Sequence, residues 1–489
     1  METDYREYSF GVRAEYGEQV SVETAVSAAE RGGAMRVLSL EAEAKAVGVE
    51  MMAGEALVSG KVNYRLLYLD ASEKPCGLDY FKDFEVRLSG DRIAVDGKWR
   101  VDMHVVDAEA KVAGDTVDMS AVVEVTLSVC DEVKMRGVAA AEGVELAEGL
   151  VKSEKVVGKR SFTIDLAKEE TVGALVKKVL LFDAEAAILS VTAKDEKVNV
   201  AGEARATVVY LTEEDEVRET LLTIPFSEET EATGEKASHT LVVKNARIVI
   251  SGDENVSSFE AEMTAELTTY DLETEEVAVS TDAFSAASYL ETASERVTSE
   301  LLAGECRYRA ELGGVIPSEE PIGRVVSVRP VGLAVANVEV GNGNVHIEGV
   351  SSYNVFGVGE EYRSVRGEFP FVLDFACAAA EVGMRADVSF VVLGASGKPA
   401  TGGVNVTADV VVTVALYKAV EGEFLSEIKE GAPREDDGAG ISVYFAEAGE
   451  DLWSVAKNMG VAPSVLLRAN PYLAEPLTEA KKVLVFKAK

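Results

Sequence analysis

Apolar and polar positions alternate along most of this chain. RATVVYL (205–211), NVHIEGVSSYNV (344–355) and VNVTADVVVTVAL (404–416) place an apolar side chain at nearly every second residue. That is the period of a strand with one buried face. Val, Thr, Ile and Tyr are plentiful in these runs and suit a pleated surface. GNGN (341–344), SGDEN (251–255) and ASGKP (395–399) interrupt them and read as hairpin turns. Two stretches lose the alternation, ETAVSAAER (23–31) and AFSAASYLETASERV (283–297), and are read as helices.

The alternating pattern itself repeats. LEAEA (40–44) matches FDAEA (182–186), and each is followed by a glycine opening an alternating run that ends in tyrosine. The runs are Gly60-x-Val62-x-Tyr64-x-Leu66-x-Tyr68 and Gly202-x-Ala204-x-Ala206-x-Val208-x-Tyr210. A third, Gly349-x-Ser351-x-Tyr353-x-Val355, has Gly357 in place of the last tyrosine. Val37, Val179 and Val326 each precede their glycine by 23 residues. Phe84 and Phe226 follow it by 24 residues and Phe371 by 22. Ser153-Glu154, Gly158, Phe162 and Leu166 recur as Ser299-Glu300, Gly304, Tyr308 and Leu312. A period near 145 residues implies one supersecondary unit used three times. The fold class expected is mainly β: three tandem antiparallel β-sandwich or open-barrel repeats with a small βααβ C-terminal domain.

The texture changes past residue 420. KEGAPREDDGAG (429–440) is charged and glycine-rich and reads as a linker. Beyond it, Val443 to Ala446 suits a short strand. Asp451 is placed to cap a helix whose apolar face is Leu452, Val455, Ala456 and Met459. Gly460 would end that helix in the left-handed conformation, and Pro463 would open a second one. Val465, Leu466 and Ala469 would form its inner face, Asn470-Pro471 would stop it, and VLVFK would close with a strand.

Charge and chemistry narrow the function. Eighty-five acidic against 48 basic residues give −37, which disfavours nucleic acid and anionic lipid surfaces as partners. The last 49 residues hold six basic and five acidic groups, which leaves −38 on the first 440. The start, METDYREYSF, is no secretory signal, and no 18-residue apolar run could span a bilayer. Cys76, Cys130, Cys306 and Cys377 form no CxxC pair and suit buried thiols in a reducing, cytoplasmic setting. His104, His239 and His346 lie far apart, without metal-ligand spacing, so a structural role, no metal and no cofactor are expected. GNGNVHIEG (341–349) precedes a strand, so it reads as a turn and not as a phosphate loop. With no G-x-S-x-G elbow and no P-loop, no catalytic residue is assigned and an enzyme is not expected.

The last 45 residues resemble the LysM family. Tyr444, Gly449, Leu452-Trp453-Ser454-Val455-Ala456, Leu466-Leu467 and Ala469-Asn470-Pro471 stand at its motif positions. The resemblance implies a shallow groove for N-acetylated glycans, walled by Gly449, Glu450, Asp451 and Leu452 and by Ala469, Asn470, Pro471, Tyr472 and Leu473. Glu450-Asp451 replaces the family's Asp-Thr, so a carboxylate stands where a hydroxyl faces the groove, and a protein surface becomes an alternative ligand. Trp453 is either a ring packed on the sheet or an exposed anchor. The whole arrangement, with TDAFS at 281–285, resembles the SpoIVA-interacting (SipL-like) proteins of spore-forming Clostridia. Their repeats are called SPOCS domains. On that resemblance, 1–150, 151–296 and 297–425 are SPOCS-like repeats, 426–441 the linker and 442–489 the LysM domain. It implies a non-catalytic scaffold of the spore coat in the mother-cell cytoplasm at the forespore surface. There it would bind the coat-basement ATPase, stage IV sporulation protein A, largely through the LysM part. Peptidoglycan or chitin-type binding is the alternative.

Overall fold

Period-two patterning becomes long strands. The computed structural model describes residues 1–29, 32–95, 98–194, 197–231, 236–253, 256–434, 440–473, 477 and 479–486, and it is mainly β. The first six strands are β1 Thr3–Ser27, β2 Arg36–Met52, β3 Glu55–Leu69, β4 Pro75–Ser89, β5 Lys98–Ala113 and β6 Thr116–Ala141. The next six are β7 Val144–Val172, β8 Val176–Lys194, β9 Lys197–Thr212, β10 Val217–Glu231, β11 Lys236–Gly252 and β12 Ser257–Ser285. The third six are β13 Ser288–Pro317, β14 Arg324–Val340, β15 Asn344–Val358, β16 Tyr362–Ala376, β17 Arg385–Ala400 and β18 Gly403–Pro433.

Each set of six makes two antiparallel three-stranded sheets in the same order. In the first set these are β1-β6-β5 and β2-β3-β4. The second has β7-β12-β11 and β8-β9-β10, and the third β13-β18-β17 and β14-β15-β16. The two sheets of a set share one core: Val22, Val117 and Met119 of one meet Val58, Val62 and Tyr64 of the other. Bulges recur at matching places in the fifth strands, at Val105/Asp107, Val243/Asn245 and Val392/Gly394. An extra residue there increases the local twist.

The glycine and phenylalanine landmarks are ladder partners. Gly60 faces Phe84, Gly202 faces Phe226 and Gly349 faces Phe371 across adjacent strands. In each pair the ring lies where a Cβ would stand. Gly357, where a third tyrosine was missing, packs against Ile322 and the Arg324 carbonyl, which leaves no room for a side chain.

The three sets close on one another. β4 packs on β8, β10 on β14 and β16 on β2, so the first and third sets touch as directly as the others. One joint core draws on all three, with Leu38, Leu67 and Leu69 against Leu181, Leu211 and Phe356. The long pairs β1–β6, β7–β12 and β13–β18 run past their own cores and pack together as a stem. Tyr8, Phe10, Val151, Val279, Val297 and Phe424 fill it. A buried ionic network crosses the seams. Arg329 pairs with Glu41 at 2.5 and 2.8 Å and with Asp183 at 3.1 Å, and Arg65 reaches Asp183 at 2.7 Å.

Several sequence expectations fail here. Neither proposed helix forms among the described residues: 23–27 end β1, with 30–31 outside the described residues, and 283–297 cover the end of β12 and the start of β13. Local spacing favoured helix, but β6, β7 and β18 offer paired edges over those stretches, and ladder bonding prevails. ASGKP lies inside β17, and the turn comes at Thr401-Gly402, where Gly402 takes φ +79°. The residue 150/151 and 296/297 boundaries fall within β7 and β13, and β18 runs to Pro433, into the stretch read as linker. Residues 435–439 of that linker lie outside the described residues. Cys306 and Cys377 are joined in a disulfide, not two separate thiols, because the packed sheets bring Cα atoms 71 residues apart in sequence to 5.9 Å. Cys76 and Cys130 are free.

Candidate functional site

The final segment runs β19 Ile441–Ala446, α1 Leu452–Met459, α2 Pro463–Ala469 and β20 Lys481–Phe486, with β19 and β20 antiparallel. Asp451 caps α1, its carboxylate accepting the Ser454 N–H at 2.5 Å. Gly460 ends α1 at φ +64°, and Pro463 opens α2. Leu452, Val455, Ala456, Leu466, Val483 and Val485 are buried together. Val465, expected inside, is exposed, so Leu466 alone carries the buried face of α2.

The nine residues expected at a groove separate into different roles. Gly449 takes φ +90° and donates its N–H to the Leu477 carbonyl at 2.7 Å. The Glu450 carboxylate accepts from the Tyr444 hydroxyl at 2.6 Å and the Glu447 N–H at 3.1 Å. Leu452 is core. Asn470 is fully buried and spent on main chain. Its amide donates to the Leu466 and Leu484 carbonyls at 2.8 and 2.6 Å, and its Oδ1 accepts the Leu484 N–H at 2.7 Å. Gly449, Asp451, Pro471 and Tyr472 are exposed, while Glu450 and Ala469 are half-buried. The loop before α1 and the loop after α2 are joined by main chain, Gly449 N–H to the Leu477 carbonyl at 2.7 Å and Leu477 N–H to the Glu450 carbonyl at 3.3 Å, and by buried Leu452 and Leu473.

Trp453 lies elsewhere. Its indole N–H donates to Asp282 Oδ2 at 2.8 Å, and its ring stands edge-on to Phe284 with centroids 5.0 Å apart. The Lys457 ammonium reaches both Asp282 oxygens at 2.7 Å. Burial pulls the Asp282 carboxyl upward, but the Lys457 and Trp453 hydrogen bonds outweigh it and hold it below its ordinary value. Phe284 belongs to the same core as Leu452 and Val455. The stretch read as a linker therefore does not hold this segment apart from the strands, because α1 sits on the end of β12. Asp282, Phe284 and Lys457 went unrecognised as site residues. The TDAFS run that holds the first two was a sequence landmark without an assigned role.

Among the described residues no group of three or more His, Cys, Asp or Glu side chains could hold a metal, and no helix is long and apolar enough to cross a membrane. His346 is flanked by Asp374 at 2.6 Å and Glu348 at 3.3 Å, and both raise its pKa. His239 is buried, which lowers its own. No protein-family model, no curated protein and no solved structure matches the chain.

Proposed function

We propose that this is a non-catalytic assembly protein. On this reading three SPOCS-like β sandwiches form a ring, and a LysM-like domain on the stem presents a recognition surface to a protein partner. The shared strand order of the three sets and the three Gly–Phe ladder pairs support copies of one unit. The β19–α1–α2–β20 order with its Asp451 and Gly460 caps supports the LysM likeness. The single observation favouring protein over glycan is Asn470. Its amide is consumed by three main-chain groups, so it has little left for an acetamido sugar. The exposed surface around it, Gly449, Asp451, Pro471 and Tyr472, suits a protein face.

The partner on this reading is the coat-basement ATPase, stage IV sporulation protein A, met at the forespore surface in the mother-cell cytoplasm. A reducing pool would open the Cys306–Cys377 disulfide only where it could reach it. Buried Cys377 is shielded from that pool, being 1% exposed. The test is a pull-down of the purified ATPase by the full chain and by a chain ending at Pro433, with circular dichroism to check the strands. Retention by the full chain alone supports the proposal. Capture by the shortened chain refutes the LysM assignment. Pelleting of the full chain with purified sacculi would favour the peptidoglycan reading instead.

A further inference from the structure

A small cavity opens where the three stem ribbons leave their own sheets, a place the proposed recognition surface does not use. It measures about 80 Å³ and takes walls from all three six-strand sets. Arg13, Lys98 and Arg100 come from the first set, with Trp99 beside them. Tyr270 comes from the second and Tyr417 from the third. Three cations around one cavity are unexpected in a chain of net charge −37.

Of the two carboxylates at the rim, Glu300 is fully engaged and Glu154 in part, its buried Oε2 having no hydrogen bond. Glu300 is held by Arg385 through two contacts of 2.9 Å. Glu154 accepts the Leu302 N–H at 2.9 Å and lies 3.6 Å from Lys236. The cations are less fully used. The Arg13 guanidinium stacks 4.2 Å over the Tyr417 ring, and its one carboxylate within reach among the described residues is Glu15, at 3.8 Å. Arg100 gives its Nε to Asp102 at 2.7 Å, and Lys98 donates to the Val156 carbonyl. A guanidinium has five N–H donors, so both arginines keep capacity for a further acceptor.

We propose that this cavity binds a small oxyanion, received by Arg13, Arg100 and Lys98 and walled by Tyr270 and Tyr417. A ligand there touches all three sets and ties the ring at its axis. It binds the closed ring and not the opened chain, so it raises stability with concentration.

The test uses the full chain, titrated calorimetrically with inorganic phosphate at ionic strength held constant with chloride. Thermal unfolding is followed in parallel. The expected result is saturable one-to-one binding and a midpoint that climbs with phosphate. Arg13→Gln and Lys98→Gln should each weaken binding at least tenfold. Lys98 is exposed, so its variant folds even if the Arg13 variant does not. Arg247→Gln, on an outer face beside Glu262, should bind as the parent does. A second arm replaces phosphate with acetate. Tighter phosphate binding marks an inorganic oxyanion, and tighter acetate binding marks a carboxylate ligand. No saturation with either anion, or unchanged affinity in Lys98→Gln, overturns the proposal.

Discussion

The Gly60 position allows a sharp test of how the units are packed. In a strand interior, replacing glycine by alanine ordinarily stabilises by roughly 0.5–1 kcal/mol, because the unfolded chain loses freedom. At Gly60 the new Cβ would lie 2.6 Å from Phe84 Cε1 and 3.0 Å from Met103 Cε. Both neighbours are ends of side chains, so the ring can swing aside. Overpacking of that kind costs about 1–3 kcal/mol, which exceeds the entropic gain. Gly60→Ala should therefore destabilise, and Phe84→Leu in the same chain should recover most of the loss. Gly202 differs in one respect. Its Cβ would meet Phe226 and also the Ala187 carbonyl oxygen, which is backbone and cannot rotate away. Gly202→Ala should cost more, and Phe226→Leu should not rescue it. Urea unfolding followed by circular dichroism compares the midpoints of the single and double variants. A Gly60→Ala protein as stable as its parent, or a Gly202→Ala protein restored by Phe226→Leu, would refute the reasoning.

Two further outcomes follow from the seams. Asp282→Asn, made in a Trp99→Phe background so that Trp453 reports alone, should shift Trp453 emission to longer wavelength as α1 leaves β12; the half-exposed ion pair and the indole bond together contribute about 1–2 kcal/mol, and unchanged emission would contradict the docking. The Asp282 carboxyl is held below its ordinary value, so this contact is complete above the unfolded value and is lost as pH falls through the lowered one. Glu219 goes the other way: burial pushes its carboxyl up to about 7, so its contribution is full below its ordinary value of 4.5 and is lost as pH rises through 7. The thermal midpoint should fall between pH 5 and 8, less so in Glu219→Gln, and equal slopes in the two proteins would show that this carboxyl does not titrate there.

Strands, the GNGN turn with Gly343 at positive φ, and the helix caps of the last segment were legible because each is a local decision. Val443–Ala446, Asp451, Gly460 and Pro463 all stand in the structure where their local chemistry put them. The failures share a cause. Residues 283–297 carry helical spacing, yet their backbone is claimed by β7 and β18, which lie more than a hundred residues away in sequence. Cys306 and Cys377 meet only because two sheets pack. The ring was invisible for the same reason, since Arg65, Asp183, Glu41 and Arg329 read as ordinary surface charges until three sets bring them together. Asn470 shows the converse. Its type and place suggested a ligand contact, but satisfying buried carbonyls takes precedence when a side chain is fully enclosed.

Each six-strand set sends one long strand pair into the stem, yet the last segment settles on the end of one of them. β6 ends in VAAA (138–141) and β18 in KEGAP (429–433), whereas β12 ends in TDAFS (281–285). Asp282 of β12 takes both the Trp453 N–H and the Lys457 ammonium, and Phe284 two residues on covers the indole. Alternation along the strand puts Asp282 and Phe284 on the same side, so one face of α1 meets both. Asp282 and Phe284 thus hold α1 at this end, together with Arg434, which donates to the Lys457 carbonyl at 3.4 Å. This docking also takes up the Trp453 indole, while Pro471 and Tyr472 of the same segment stay exposed.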